Sequence, residues 1–255
     1  MRPHKKTAVV PHVEIPAQVR PLLQRVGALA EQQGMAAYAV GGCVRDWWFG
    51  ITTTMDLDVT VEGDGVALAH AVAQTFQASL QVHQPFGTAT LLVRRSTSTV
   101  RVDLATCRRE TYAKPAAYPT VTRGTLEEDL VRRDFTINAT ALALSPPQFG
   151  TLIDPCEGAQ DVDRKILRIL HARSFLDDPS RMLRGIRFAQ RFDLTWEPAT
   201  LRAAIDAIAA GALGWLNAGR LRKELELMLR EPNPLACLQQ VYVLLVESQR
   251  VTSNR

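Results

Sequence analysis

The chain has 255 residues, 46% of them hydrophobic and 22% charged, with a formal net charge of +4, which suits a soluble globular protein of one large or two small domains. No apolar run reaches the roughly 18 residues of a membrane span, and Met1-Arg-Pro-His-Lys-Lys6 has no apolar stretch behind it of the kind a secretory signal needs. Cys43, Cys107, Cys156 and Cys237 stand singly and the five histidines show no ligand spacing, which argues against zinc and a disulfide framework and for a reducing, cytoplasmic setting.

Residues 1–15 are expected to be a disordered tail. Val19, Leu22, Leu23, Val26, Leu29 and Ala30 then recur at helical spacing, with Gly34 as a stop. Ala36 to Val40 reads as a short buried strand. Gly41 and Gly42 turn it into a short helix over Val44–Phe49, in which Trp47 and Trp48 are expected to be packing residues. Asp56-Leu-Asp-Val-Thr-Val-Glu62 reads as a strand. Because residues i and i+2 share a face, Asp56, Asp58 and Thr60 lie on one side and Leu57, Val59 and Val61 on the other. Two adjacent carboxylates repel, so either they are solvated on a hairpin surface or a cation sits between them. Oxygen ligands suit a hard cation such as Mg²⁺.

A turn at Gly63–Gly65 precedes a helix over Val66–Phe76; the third glycine of a dinucleotide fingerprint is missing there. Ala89–Val93 and Val100–Ala105 read as strands. In the second, Arg101 and Asp103 occupy the polar face, which in a continuous sheet can be the face of Asp56 and Asp58. A surface ion pair of Asp103 with Arg101 or Arg108 is the alternative. Arg109 to Gly124, with Pro115 and Pro119, predicts a long mobile loop. Leu126 to Ala139 reads as a charged helix with pairs such as Glu128–Arg132. Ala141–Leu144 and Thr151–Ile153 are the last expected strands, and from Asp161 the chain turns helical. Between residues 164 and 191 eight basic residues face two acidic ones, so the positive excess of the whole chain is concentrated there. A basic face of this kind suggests a polyanionic partner. Helices are expected over Asn217–Leu229 and Pro234–Val246.

Three strings carry a resemblance: Tyr38-Ala-Val-Gly-Gly-Cys-Val-Arg-Asp46 with Asp56-Leu-Asp58, Arg132-Arg-Asp-Phe-Thr-Ile-Asn-Ala139, and Phe175-Leu-Asp-Asp-Pro-Ser-Arg-Met-Leu-Arg184. Together they resemble the signatures of the bacterial-type (class II) tRNA nucleotidyltransferase and poly(A) polymerase family, over residues ~36–230. The resemblance implies an α/β fold, a nucleotidyltransferase head with a small mixed, largely antiparallel sheet and helices at residues 16–158. An all-helical neck would follow at 159–255, with the family's body and tail domains absent. It implies catalytic and metal-holding roles for Asp56, Asp58 and Asp103, with Mg²⁺ as the cofactor. Gly41, Gly42, Arg45 and Arg133 would cradle phosphates, Asp134 and Asn138 would address the ribose, and Asp178 and Arg181, with Arg184 one turn on, the base. A fourth family motif has Glu where this chain has Gly219, beside Arg220.

The implied reaction is template-independent addition of CMP, AMP or both from CTP and ATP to a tRNA 3′ end, as CCA, CC or A. Poly(A) addition to RNA and a non-catalytic nucleotide- or RNA-binding module stay open as alternatives, and no membrane partner is expected.

Overall fold

The computed structural model describes residues 13–84, 87–95, 98–117 and 119–253. Residues 1–12 of the expected tail lie outside the described residues. Val13 and Ile15, which that expectation also assigned to the tail, are buried in the core.

The first helix, α1 (Arg20–Gln32), buries Leu22, Leu23, Val26, Leu29 and Ala30, and the chain leaves it through Gly34 at φ 68°. Gly27 lets it lie directly on the chain at Leu144, whose carbonyl oxygen would stand 1.7 Å from an added Cβ. Then come β1 (Ala36–Val40), α2 (Gly42–Trp48), β2 (Asp56–Glu62) and α3 (Gly65–Phe76). The Asp64 side chain caps α3 by accepting from the Val66 and Ala67 amides. Next are β3 (Ser79–His83), β4 (Thr88–Arg94) and β5 (Thr99–Thr106); β3, polar and half-exposed, carries too weak an alternation to be read from sequence.

The span expected as a loop is instead a β-hairpin, β6 (Arg108–Thr111) with β7 (Thr120–Arg123), and it pairs Arg108 with Arg123 and Thr111 with Thr120. The charged helix is shorter than expected. It spans α4 (Leu126–Val131), opened by a Thr125–Glu128 capping box. Glu128 is spent on that cap and on Arg109, so the Glu128–Arg132 pair does not form; Arg132 turns to Asp129 and Glu110. The chain then runs through an extended Phe135 into a 3-10 turn over Thr136–Asn138.

After β8 (Ala141–Ala143) and β9 (Leu152–Ile153) come α5 (Gly158–Asp163), β10 (Ile166–Leu167), α6 (Ser174–Asp177) and α7 (Ser180–Phe192). Next are β11 (Thr195–Trp196), α8 (Pro198–Ala209), α9 (Ala218–Leu229) and α10 (Pro234–Ser253).

The main sheet has seven strands in the order β3-β4-β5-β2-β1-β8-β9. Only β2 and β5 run parallel; every other neighbouring pair is antiparallel. One core lies between this sheet and α1–α3, built on Leu57, Val59, Val61, Leu91, Val102 and Leu104. A second core joins α7–α10 and takes in Phe135 and Ile137 from ahead of the expected boundary at 158. Among the described residues, the parallel pair β10–β11 is the one strand element in the otherwise helical C-terminal part.

Candidate active site

The parallel register of β2 and β5 sets Asp58 opposite Asp103 and Asp56 opposite Arg101. The apolar face of both strands is sealed in the core, so these four side chains share the polar face. Asp56 and Asp58 both lie exposed on that face, whereas Asp103 is half-buried. Desolvation by the surrounding protein pushes the Asp58 carboxyl up, and the neighbouring Asp103 and Asp56 charges add to this against the pull of Arg133 and Arg45. Among the described residues neither the Asp56 nor the Asp58 carboxylate has a hydrogen-bond or ion-pair partner.

Asp103 is held differently. Thr90 Oγ1 donates to it at 2.5 Å, and Arg101 donates to both of its oxygens, at 2.9 and 3.2 Å. As the side chains stand, no three acidic, histidine or cysteine groups among the described residues converge on one metal position. The surface ion pair that competed with the metal role is formed. The donor set still fits a hard divalent cation: two unpartnered carboxylates on the open face, one of them with its carboxyl raised, and a third opposite.

Gly41 ends β1 at φ 68°, a conformation that favours glycine. An added Cβ there would lie 2.7 Å from Arg133 Nη1. The glycine turn, Asp58 and Arg133 are thus in immediate contact. Asp129, buried on α4, receives Arg132 at 2.7 Å and Arg133 at 2.9 Å. Burial alone would raise its carboxyl, but Arg133 and Arg132 bring it below the ordinary value. Glu110 on β6 gathers Arg108, Arg132 and the Tyr112 hydroxyl, each at 2.9 Å.

On the neck side, Asp134 accepts from Asn138 Nδ2 and from Arg184, each at 2.9 Å. Burial opposes ionisation there, yet Arg184 and the Asn138 amide take the Asp134 carboxyl down to about 2. Arg45 lies almost buried. It donates to Asn138 Oδ1 at 2.8 Å and to Asp46 at 2.7 Å, and its guanidinium stacks 4.5 Å from the Phe188 ring centre and 4.8 Å from that of Phe192.

The expected Asp178–Arg181 pair is not formed. Asp178 precedes α7 in extended backbone (φ −139°, ψ 93°), so the two residues do not share a helical face. Its Oδ1 accepts from the Ser180 amide and hydroxyl and ion-pairs with Arg220 at 2.5 Å. Arg181 is buried and donates to Ser174 Oγ and to the Arg132 carbonyl. The basic face expected from residues 164–191 is partly neutralised: Arg168, Arg184, Arg187 and Arg191 are ion-paired with Asp161, Asp134, Glu224 and Glu231, and Arg181 and Arg187 are buried, while Arg164, Lys165, Arg173 and Arg191 stay exposed.

One cleft of about 610 Å³ nevertheless collects all nine residues expected to bind nucleotide: Gly41, Gly42, Arg45, Arg133, Asp134, Asn138, Asp178, Arg181 and Arg184. Its size is that of small-ligand sites. Its walls carry seven arginines against three carboxylates. Asp58 and Asp103 line an adjoining cleft of about 410 Å³, and Arg108, Arg132 and Arg133 border both. Sequence reasoning missed Glu110 and Tyr112, hidden in the span read as a loop, and gave Arg108, Arg132 and Arg220 no place among the nucleotide-binding residues. The adjacency of Arg132 to Arg133 was the available signal.

The family model described as the poly(A) polymerase head domain matches residues 37–168. The chain is 39% identical over 217 residues to the A-adding tRNA nucleotidyltransferase of Halalkalibacterium halodurans, covering 84% of this chain and 50% of that protein. It is 38% identical over 195 residues to the CC-adding tRNA nucleotidyltransferase of Deinococcus radiodurans, covering 76% and 50% respectively. A crystal structure of a tRNA nucleotidyltransferase complexed with a primer tRNA and an incoming ATP analogue superposes with a TM-score of 0.78 at 38% identity, over 87% of this chain and 60% of that one. The chain spans about half the length of these two curated relatives. With more than half of its residues matched by that model, the protein belongs to the poly(A) polymerase head domain family.

Proposed function

We propose that this chain is the catalytic head and neck of a metal-dependent nucleotidyltransferase that transfers AMP or CMP from ATP or CTP to the 3′ end of a tRNA. The observation that carries this reading is the convergence of three separated segments, 41–45, 133–138 and 178–184, on one arginine-rich cleft beside the carboxylate face. Guanidinium forks match phosphate oxygens, and a triphosphate brings the anionic charge that seven arginines call for.

In the proposed reaction the acceptor 3′ oxygen attacks the α-phosphorus. A phosphorus–oxygen bond forms to the acceptor, the bond to the bridging oxygen breaks, pyrophosphate leaves, and the hydroxyl proton passes to solvent water. Arg133 and Arg132, with the glycine turn, hold the triphosphate in line for that displacement. Asp134 and Asn138 accept from and donate to the ribose, and the Arg184 contact keeps Asp134 ionised for that task. Asp178 selects the base by accepting from an exocyclic amino group, N4 of cytosine or N6 of adenine, with Arg181 and Arg220 beside it. Asp56 and Asp58, joined by Asp103, would hold Mg²⁺, which polarises the attacking hydroxyl and neutralises charge on the leaving oxygen.

The test is Mg²⁺-dependent incorporation of labelled nucleotide into tRNA lacking its 3′ end, with each NTP alone and all four together, followed by sequencing of product ends. Addition of A, CC or CCA at defined length supports the reading. Untemplated A tracts on unrelated RNA would assign the chain to poly(A) synthesis instead. Nucleotide binding without transfer would leave a binding module.

A further inference from the structure

The polar face of β2 and β5 holds three acids and one base. Asp56 stands opposite Arg101 and Asp58 opposite Asp103, so the four side chains form a two-by-two array in which Arg101 is the single cation. The guanidinium takes both oxygens of Asp103, Nε to Oδ2 at 2.9 Å and Nη2 to Oδ1 at 3.2 Å. Those are the oxygens a metal would need. With both engaged, Asp103 does not converge with Asp56 and Asp58 on a common point, although the strand register brings their backbones level.

We propose that Arg101 is a built-in counter-ion of the carboxylate face, a positioning residue that holds Asp103 away from Asp56 and Asp58 and competes with a divalent cation for it. The inference rests on the metal role proposed above for these carboxylates. The pair sits at the open edge, with half of the Arg101 side chain and about a third of Asp103 exposed. An exposed ion pair is weak, and a divalent charge facing three carboxylates outcompetes one guanidinium. Thr90 keeps its hydrogen bond to Asp103 in either arrangement, because it reaches the carboxylate from β4, across the sheet from β2. Arg101 thus balances the face until the cation arrives and sets how tightly that cation is held.

The experiment is Mn²⁺ binding to the full chain without nucleotide, by titration calorimetry and by the spin-resonance signal of free Mn²⁺, for wild type, Arg101→Met, Arg101→Lys, Asp103→Asn and Asp58→Asn. Removing a positive charge within a few ångströms of a divalent ion tightens binding by roughly tenfold. Arg101→Met is therefore expected to bind Mn²⁺ about tenfold more tightly, and Arg101→Lys, which keeps charge but loses the fork, to fall between. In the Asp103→Asn background, Arg101→Met should give much less gain, because the competition runs through Asp103. Metal-free Arg101→Met should melt below wild type, and Mn²⁺ should raise its melting temperature by more. A purely structural ion pair predicts the lower melting point without the tighter binding.

Wild-type binding that is lost in Asp58→Asn but unchanged or weakened in Arg101→Met overturns the inference and leaves the metal role standing. No Mn²⁺ binding by wild type overturns both.

Discussion

Asp58 shows how one side chain can work against the fold while serving the site. Its folded-state carboxyl lies above the ordinary value because of desolvation and the neighbouring acids. The folded state therefore binds the proton more readily than the unfolded one, so the stability this group contributes is fully present below the ordinary value and is lost as pH rises through the folded value. Asp58→Asn is expected to raise the melting temperature at pH 7 without divalent cation and to abolish nucleotide transfer. A variant that melts lower than wild type, or that keeps activity within about threefold, would contradict both the strain and the role. Asp178 carries a second expectation. Ionised, it only accepts hydrogen bonds, so it meets O4 of uracil or O6 of guanine acceptor to acceptor, at a cost of about 1–3 kcal/mol or more. Asp178→Ala should therefore increase relative UTP and GTP use roughly tenfold in kcat/KM compared across the four nucleotides. A uniform loss of rate would reduce Asp178 to the partner of Arg220.

The β6–β7 hairpin is the element whose behaviour the site depends on most. Its base is pinned by Glu110, which holds Arg108 and Arg132 in the cleft wall. Among the described residues, its tip reaches the C-terminal part through a hydrogen bond from the Ala116 amide to the Leu176 carbonyl at 3.0 Å, with Ala116 at φ 56°. Proline can supply neither that N–H nor that φ. Ala116→Pro should release the tip, making segment 109–123 the first site of limited proteolysis. Because the core does not include the tip, global stability should change by no more than about 1 kcal/mol. Ala117 and Pro119 line the arginine-rich cleft proposed to hold the nucleotide, so transfer should slow as well, with a larger drop expected for ATP than for CTP. Unchanged proteolysis would mean that the tip is held by more than this bond.

Across the whole molecule, the two cores are joined by a buried polar chain. From Asp46 it passes through Arg45, Asn138, Asp134, Arg184, Glu224, Arg187 and Glu231 to Arg191. Phe49 stacked on Phe192 at 4.6 Å runs beside it. Asp134 is its centre. With a folded-state value of about 2 against an ordinary 3.8, the carboxylate is favoured by folding. Its contribution is complete above pH about 4 and is lost as pH falls through about 2, and it amounts to about 2 kcal/mol. Asp134→Asn should destabilise the protein at pH 7 by about 2–4 kcal/mol, since it leaves Arg184 under-partnered in the interior. The gap between variant and wild type, measured by urea unfolding, should narrow toward pH 2.5. A gap that stays constant over that range would remove Asp134 from the charge balance between the two cores.

Periodicity and spacing alone were enough to place α1, β1, β2 and β5: α1 repeats its apolar residues at helical spacing, β1 is a short apolar run, and β2 and β5 alternate apolar and polar residues. The same-face placement of Asp56, Asp58 and Asp103 followed from the period of two and was realised by the β2–β5 register. The glycine turn and the nine cleft residues were legible because they fall in three short, distinctive strings. What the chain could not disclose locally were the partners. The β6–β7 ribbon has no buried alternation, as β7 is exposed throughout, and its base is held against α4, where Glu110 of β6 takes Arg132. Asp178 and Arg181, three apart, read as one helical face; the break at Pro179 and the arrival of Arg220 from α9 part them. The arginines of 164–191 read as an open basic face, yet Arg168, Arg184, Arg187 and Arg191 are paired with carboxylates brought from α5, the turn at Asp134, α9 and Glu231, and Arg181 and Arg187 are buried. Backbone pattern is a local property and shows in the sequence. Which charge neutralises which is decided across separations such as 37 and 93 residues, where only the folded chain brings the groups together.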